Sequence, residues 1–158
     1  MDKWEDLVRN LAKEQDLLGG RLLAETLKTL YSNGLGWVVE IDGKIVACTF
    51  LFETHAQGWY ELGSVWVALQ HRGKKLAAKT FRACITHAES TCLRAFLITK
   101  DPRIVHLSLS EGLVEATPET WKEVPWGASC GPCDRLPESE KSTCPLRATA
   151  ECRLFFMN

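Results

Sequence analysis

Two clusters of side chains in this sequence have the types and spacing to do chemistry. The first is Gln70-His71-Arg72-Gly73-Lys74-Lys75, a short turn with one glycine and three cations. Such a turn suits phosphate, because backbone N–H groups, ammonium and guanidinium groups can converge on one anion. A solvated basic surface turn is the simpler alternative. The second cluster is Cys130-Gly131-Pro132-Cys133, followed by Cys144 and Cys152. A Cys-x2-Cys pair is the usual first half of a tetrahedral zinc site. Four thiolates would leave no open position, so such a zinc is structural. A redox pair at Cys130 and Cys133, disulfides and free thiols are the rival readings.

The basic turn gains meaning from what flanks it. Before it, Trp59 to Val67 is aromatic, apolar and β-branched with no proline, which predicts a strand. After it, Leu76, Ala77, Thr80, Phe81, Cys84 and Ile85 recur at helical spacing up to Ser90. The cations therefore fall at a predicted helix N-terminus, where N–H groups are unpaired and the dipole is positive. Placing three cations there is costly unless an anion balances them. A strand over Leu93 to Ile98 follows, so strand, helix and strand predict a parallel crossover.

The other elements follow from similar signals. Trp4, Leu7, Val8 and Leu11 predict a first helix over residues 3–15, capped by Asp2 and broken at Gly19-Gly20. Leu22, Leu23, Leu27, Leu30 and Tyr31 predict a second, closed by Ser32-Asn33-Gly34. Asp42-Gly43 between Trp37–Ile41 and Lys44–Phe52 predicts a β-hairpin whose second arm is apolar on both faces, hence central. Asp101-Pro102 caps and opens a helix ending at Gly112. Residues 117–126 read as a strand with loops, and Cys152 to Met157 as a closing strand. Between them, residues 127–151 form a polar, cysteine-rich insert with too few apolar residues for a core of its own; a metal would supply the ordering free energy.

With 158 residues, 46% hydrophobic and 25% charged, the chain suits a single globular domain over residues 1–158. A net charge of −1 gives no global drive toward nucleic acid or membrane. No apolar run reaches transmembrane length, and the start lacks the design of a signal peptide, so the cytosol is the expected compartment.

The segment Gln70-His71-Arg72-Gly73-Lys74-Lys75-Leu76-Ala77 resembles the acyl-CoA pyrophosphate loop of the GNAT superfamily of N-acetyltransferases. The family pattern is Gln or Arg, two residues, Gly, one residue, then Gly or Ala. Gln70 and Gly73 match, whereas Lys75 stands where the family has a small residue. Trp66-Val67 before the loop and Ala77-Ala78 after it fit the family's surroundings. The resemblance covers about residues 1–125 and the last strand. It implies an α/β fold, with a mixed, mostly antiparallel central sheet and helices on both faces. It implies acetyl-CoA as co-substrate, held by Trp66, Val67, Gln70, His71, Arg72, Gly73, Lys74, Lys75, Leu76 and Ala77. It further implies acetyl transfer to a primary amine of a small molecule or peptide.

Such a transfer needs a neutral amine, so a base must take its proton. Glu61, on the strand predicted over Trp59 to Val67, is the first candidate, with a plain solvent-facing role as the alternative; His55 and Glu53 come second. An N–H near Val67 would hold the oxyanion. Many family members carry a tyrosine that protonates the thiolate, but here the position is Ser108, a poor acid, so His106 or water is expected to substitute. Positioning alone can supply much of the rate. Two readings from other classes stay open: an acyl-CoA-binding sensor or scaffold with weak or no turnover, and an interaction protein that grips its partner through a zinc knuckle. The insert's mixed charge argues against a nucleic-acid partner, and a homodimer is left open.

Overall fold

The structure is a computed structural model that describes residues 2–14, 23–54, 56–117, 119–120, 123–125 and 152–158. The elements run α1 (Lys3–Glu14), α2 (Ala24–Ser32), β1 (Gly36–Ile41), β2 (Lys44–Glu53), β3 (Trp59–Val67), a 3₁₀ turn (Leu69–His71), α3 (Leu76–Ser90), β4 (Arg94–Thr99), α4 (Pro102–Ser110), β5 (Val114–Glu115) and β6 (Arg153–Phe156). The strands are hydrogen-bonded in the order β1-β2-β3-β4-β6-β5. β1 with β2, β4 with β6 and β5 with β6 are antiparallel, whereas β3 and β4 are parallel, as the strand–helix–strand order predicts. No helix among the described residues is long and apolar enough to cross a membrane. The chain divides into two compact units, residues 1–52 with 62–90 and residues 53–61 with 91–158.

In the first unit β2 is the spine. Ile45 through Leu51 are all buried, so both faces of the strand are covered. Val46, Cys48 and Phe50 point to one side and pack with Trp4, Leu7 and Leu11 of α1 and Leu27 of α2. Thr49 points to the other, where its hydroxyl lies 2.9 Å from that of Thr80 on α3. The Asp42-Gly43 turn has both residues at positive φ, 50° and 75°, the type I′ geometry that matches strand twist. α2 starts at Ala24, later than its leucines suggest: Leu23 is the extended residue before it and is exposed. Its end is a full Schellman motif, with Leu35 N–H donating to Leu30 C=O and Gly34 N–H to Tyr31 C=O. Burial pushes the thiols of Cys48 and Cys84 well above their usual range, which leaves them as packing groups.

In the second unit Phe96, Ala116, Val124, Leu154 and Phe156 form a buried cluster, with Trp59 and Ile98 against it. Asp101 caps α4 by accepting from Arg103 N–H at 2.9 Å, with Pro102 at the first turn. β5 is only two residues long and was missing from the sequence-based expectation; it exists because Val114 and Glu115 pair with Phe156 and Phe155 of β6. The strand expected over residues 117–126 is not found among the described ones, where Thr117 and Thr120 instead close a turn.

Candidate cofactor site

The basic turn is built by the end of β3 and the start of α3, both in the first unit. β3 departs from regular extension at Ser64, whose φ is 52°, and ends in buried Trp66 and half-buried Val67. A 3₁₀ turn over Leu69–His71 leads to Gly73 at φ 80° and Lys75 at φ 60°. Glycine adopts that left-handed backbone without a Cβ penalty, and lysine does not. Lys75, at the position where the family has a small residue, therefore holds a left-handed backbone without the side chain that favours it. The Lys75 carbonyl accepts from Lys79 N–H and so opens α3. No acidic residue lies in the first turn of α3.

The exposed Lys74 and Lys75 line one cleft with Ala78, Lys79, Arg82 and Thr86. Lys79 and Arg82, three residues apart, share one face of α3, and Lys75 directly precedes the helix. That periodicity was readable, yet Lys79 and Arg82 were absent from the expected site. His71 Nδ1 lies 3.3 Å from Lys74 Nζ. Gln70 is exposed, and Leu76 and Ala77 are half-buried at the helix start.

Arg72 faces elsewhere. Its Nε donates to the Val67 carbonyl at 3.1 Å and its Nη2 to Glu14 Oε2 at 2.6 Å. The same Glu14 oxygen accepts from Trp66 Nε1 at 2.8 Å. No sequence pattern links Glu14 to this turn, since 58 residues separate it from Arg72.

The described candidates Glu53, Glu61, His106 and Ser108 belong to the second unit. Glu61 is half-buried on β3, opposite Phe96 of β4. Glu53, held as a second base, hydrogen-bonds Tyr60; burial and then this carboxylate push the Tyr60 hydroxyl upward. His55 lies outside the described residues. His106 is exposed on α4. Ser108 is fully buried, and its hydroxyl donates to the Ile104 carbonyl at 2.7 Å, so it packs within its own helix. Cys130, Cys133 and Cys144 lie outside the described residues, and Cys152 is half-buried. Among the described residues no group of acidic, histidine and cysteine side chains could hold a metal ion.

Residues 4–106 match the sequence profile of the acetyltransferase (GNAT) family. The chain belongs to this family. The GNAT fold agrees with solved structures. An acetyltransferase of the GNAT family from Staphylococcus aureus superposes with a TM-score of 0.63 at 14% identity, covering 99% of this chain and 90% of that one. A GNAT family acetyltransferase from Brucella melitensis, in complex with acetyl-CoA, gives 0.53 at 15%, covering 72% and 75%. N-acetylglutamate synthase from Neisseria gonorrhoeae, complexed with coenzyme A and N-acetyl-glutamate, gives 0.59 at 19%, covering 97% of this chain. This GNAT chain spans only 31% of the synthase's length. None of the curated proteins compared matches it in sequence.

Proposed function

We propose that this GNAT protein transfers an acetyl group from acetyl-CoA to a primary amine of a small molecule or peptide, in the cytosol. The carrying observation is the turn itself: Gly73 and Lys75 at positive φ feed a helix N-terminus free of acids, beside a cleft lined by Lys74, Lys75, Lys79 and Arg82. N–H groups at a helix start, with cations near them, suit the pyrophosphate of CoA. In the proposed reaction the neutral amine attacks the thioester carbonyl and the C–S bond breaks. Glu61 takes the amine proton, and the N–H near Val67 holds the oxyanion. The thiolate leaves with a proton from His106 or water.

A second reading, an acyl-CoA sensor without turnover, draws on Ser108, whose buried hydroxyl is engaged inside α4 where many family members carry a tyrosine. Calorimetry with acetyl-CoA tests the shared first step. Gly73→Glu places a carboxylate against the pyrophosphate, and Gly73→Ala controls for backbone strain, because a Cβ there meets nothing within 4 Å. Micromolar binding by the wild type, kept by Gly73→Ala and lost in Gly73→Glu, supports the site. No binding by the folded wild type overturns it. An amine screen then separates the readings: acetylated product selects the enzyme, and binding without product selects the sensor.

A further inference from the structure

Glu14, the last residue of α1, touches three points of the junction between β3 and the phosphate turn, directly or through one side chain. Its Oε2 accepts from Trp66 Nε1 and from Arg72 Nη2, and Arg72 in turn fixes the Val67 carbonyl through Nε. Trp66 and Val67 are the last two residues of β3, and Arg72 directly precedes the left-handed Gly73. One carboxylate thus sets the path of the chain from the strand end into the turn. It also engages the Arg72 guanidinium, which is not among the residues that line the cleft.

We propose that Glu14 is a positioning residue for the acyl-CoA phosphate turn, acting through Arg72 and Trp66 and not by touching the cofactor. The inference rests on the reading of that turn as an acyl-CoA site. A charge-assisted pair at this distance, with an indole donating to the same carboxylate oxygen, is geometrically specific, and a small misplacement of a binding turn is costly. An opposite electrostatic role would give the opposite sign: a carboxylate near a phosphate site weakens binding by neutralising a cation.

The test is acetyl-CoA calorimetry on the wild type, Glu14→Ala, Glu14→Gln, Arg72→Ala and the Glu14→Ala/Arg72→Ala double variant, each with its melting temperature. We expect Glu14→Ala and Arg72→Ala each to weaken binding about tenfold, and the double variant to be no weaker than either, because both remove one unit. Glu14→Gln keeps an acceptor for Trp66 Nε1 and should recover part of the loss. It also preserves side-chain shape if Glu14→Ala does not fold. Unchanged affinity with a lowered melting temperature overturns the proposal, leaving Glu14 as a fold contact only. Tighter binding in Glu14→Gln overturns it in favour of the counter-charge role. Additive losses in the double variant overturn the route through Arg72. A folded wild type that binds no acetyl-CoA overturns both this inference and the acyl-CoA reading, whereas wild-type binding with unaltered variants overturns this inference alone.

Discussion

Arg153 and Glu115 meet as fork on fork: Nε donates to Oε1 and Nη2 to Oε2, each at 2.6 Å. They sit on the paired strands β6 and β5, so the ion pair closes the edge of the sheet where the ladder is only two residues long. The Arg153 hydrogen bonds hold the Glu115 carboxyl below its ordinary value. A lowered folded-state pKa gives stability that is present above the unfolded value and lost as pH falls through the folded one. Both side chains are more than a third exposed, so the pair contributes no more than about 1 kcal/mol. Denaturant unfolding of the wild type and Glu115→Gln should differ by a constant amount near neutral pH, with the difference shrinking below about pH 4.5. A difference that persists unchanged into acid would show that the charge of Glu115 is irrelevant.

Gly36 is a site of close approach. A Cβ there would stand 2.6 Å from Phe50 Cε1 and 3.2 Å from the Tyr31 backbone, and Phe50 is fully buried with nowhere to retreat. Gly36→Ala should cost about 1–3 kcal/mol by overpacking. Gly63→Ala meets only the Phe52 ring, at 3.2 Å, and that ring is half-buried and can yield, so a smaller loss is expected. Urea midpoints of the two variants check the order.

Lys75 holds a left-handed backbone with φ 60°. Lys75→Gly and Lys75→Ala remove the same cation, but only glycine relieves the conformation. Glycine should exceed alanine in stability by about 1 kcal/mol, less the entropy that glycine adds to the unfolded chain. Equal unfolding free energies for the two variants would mean that the surroundings bear the strain at no cost.

Thr49 and Thr80 share a buried hydroxyl contact at 2.9 Å, and each has a carbonyl partner besides: Cys48 for Thr49, Leu76 and Ala77 for Thr80. Thr49→Val therefore orphans no donor, and it should cost about 1 kcal/mol. A loss several times larger, read by thermal unfolding, would reveal a network whose members depend on one another.

Cys130, Cys133, Cys144 and Cys152 are proposed as ligands of a structural zinc. Elemental analysis of protein purified without added metal should find close to one zinc per chain, and Cys130→Ser/Cys133→Ser should lose it. A metal-free protein whose intact mass is lighter by hydrogen pairs would assign disulfides instead.

The sequence disclosed those parts of the fold that obey local rules. Asp42-Gly43 and Asp101-Pro102 announce their turn and cap through φ preferences and one side-chain hydrogen bond, with no help from distant residues. Ile45 to Leu51 announced a doubly covered strand through an unbroken apolar run. β5 was invisible because two residues carry no period, and only their pairing with β6 makes them a strand. At the site, the cations and Gly73 were legible as a local pattern, and Lys79 and Arg82 would have been legible from their helical spacing. Glu14 was not legible, since its partnership with Arg72 and Trp66 exists only after α1 and β3 are folded together. The orientation of Arg72 was hidden for the same reason.

The burial of Cys48 and Cys84 decides which thiols a chemist can use. Thiol reagents attack the thiolate, and both side chains are kept protonated and out of reach. Cys92, exposed in the turn between α3 and β4, is open to a maleimide dye that the core thiols will refuse. Among the described residues Cys92 therefore offers an attachment point for a reporter, with no cysteine needing to be added.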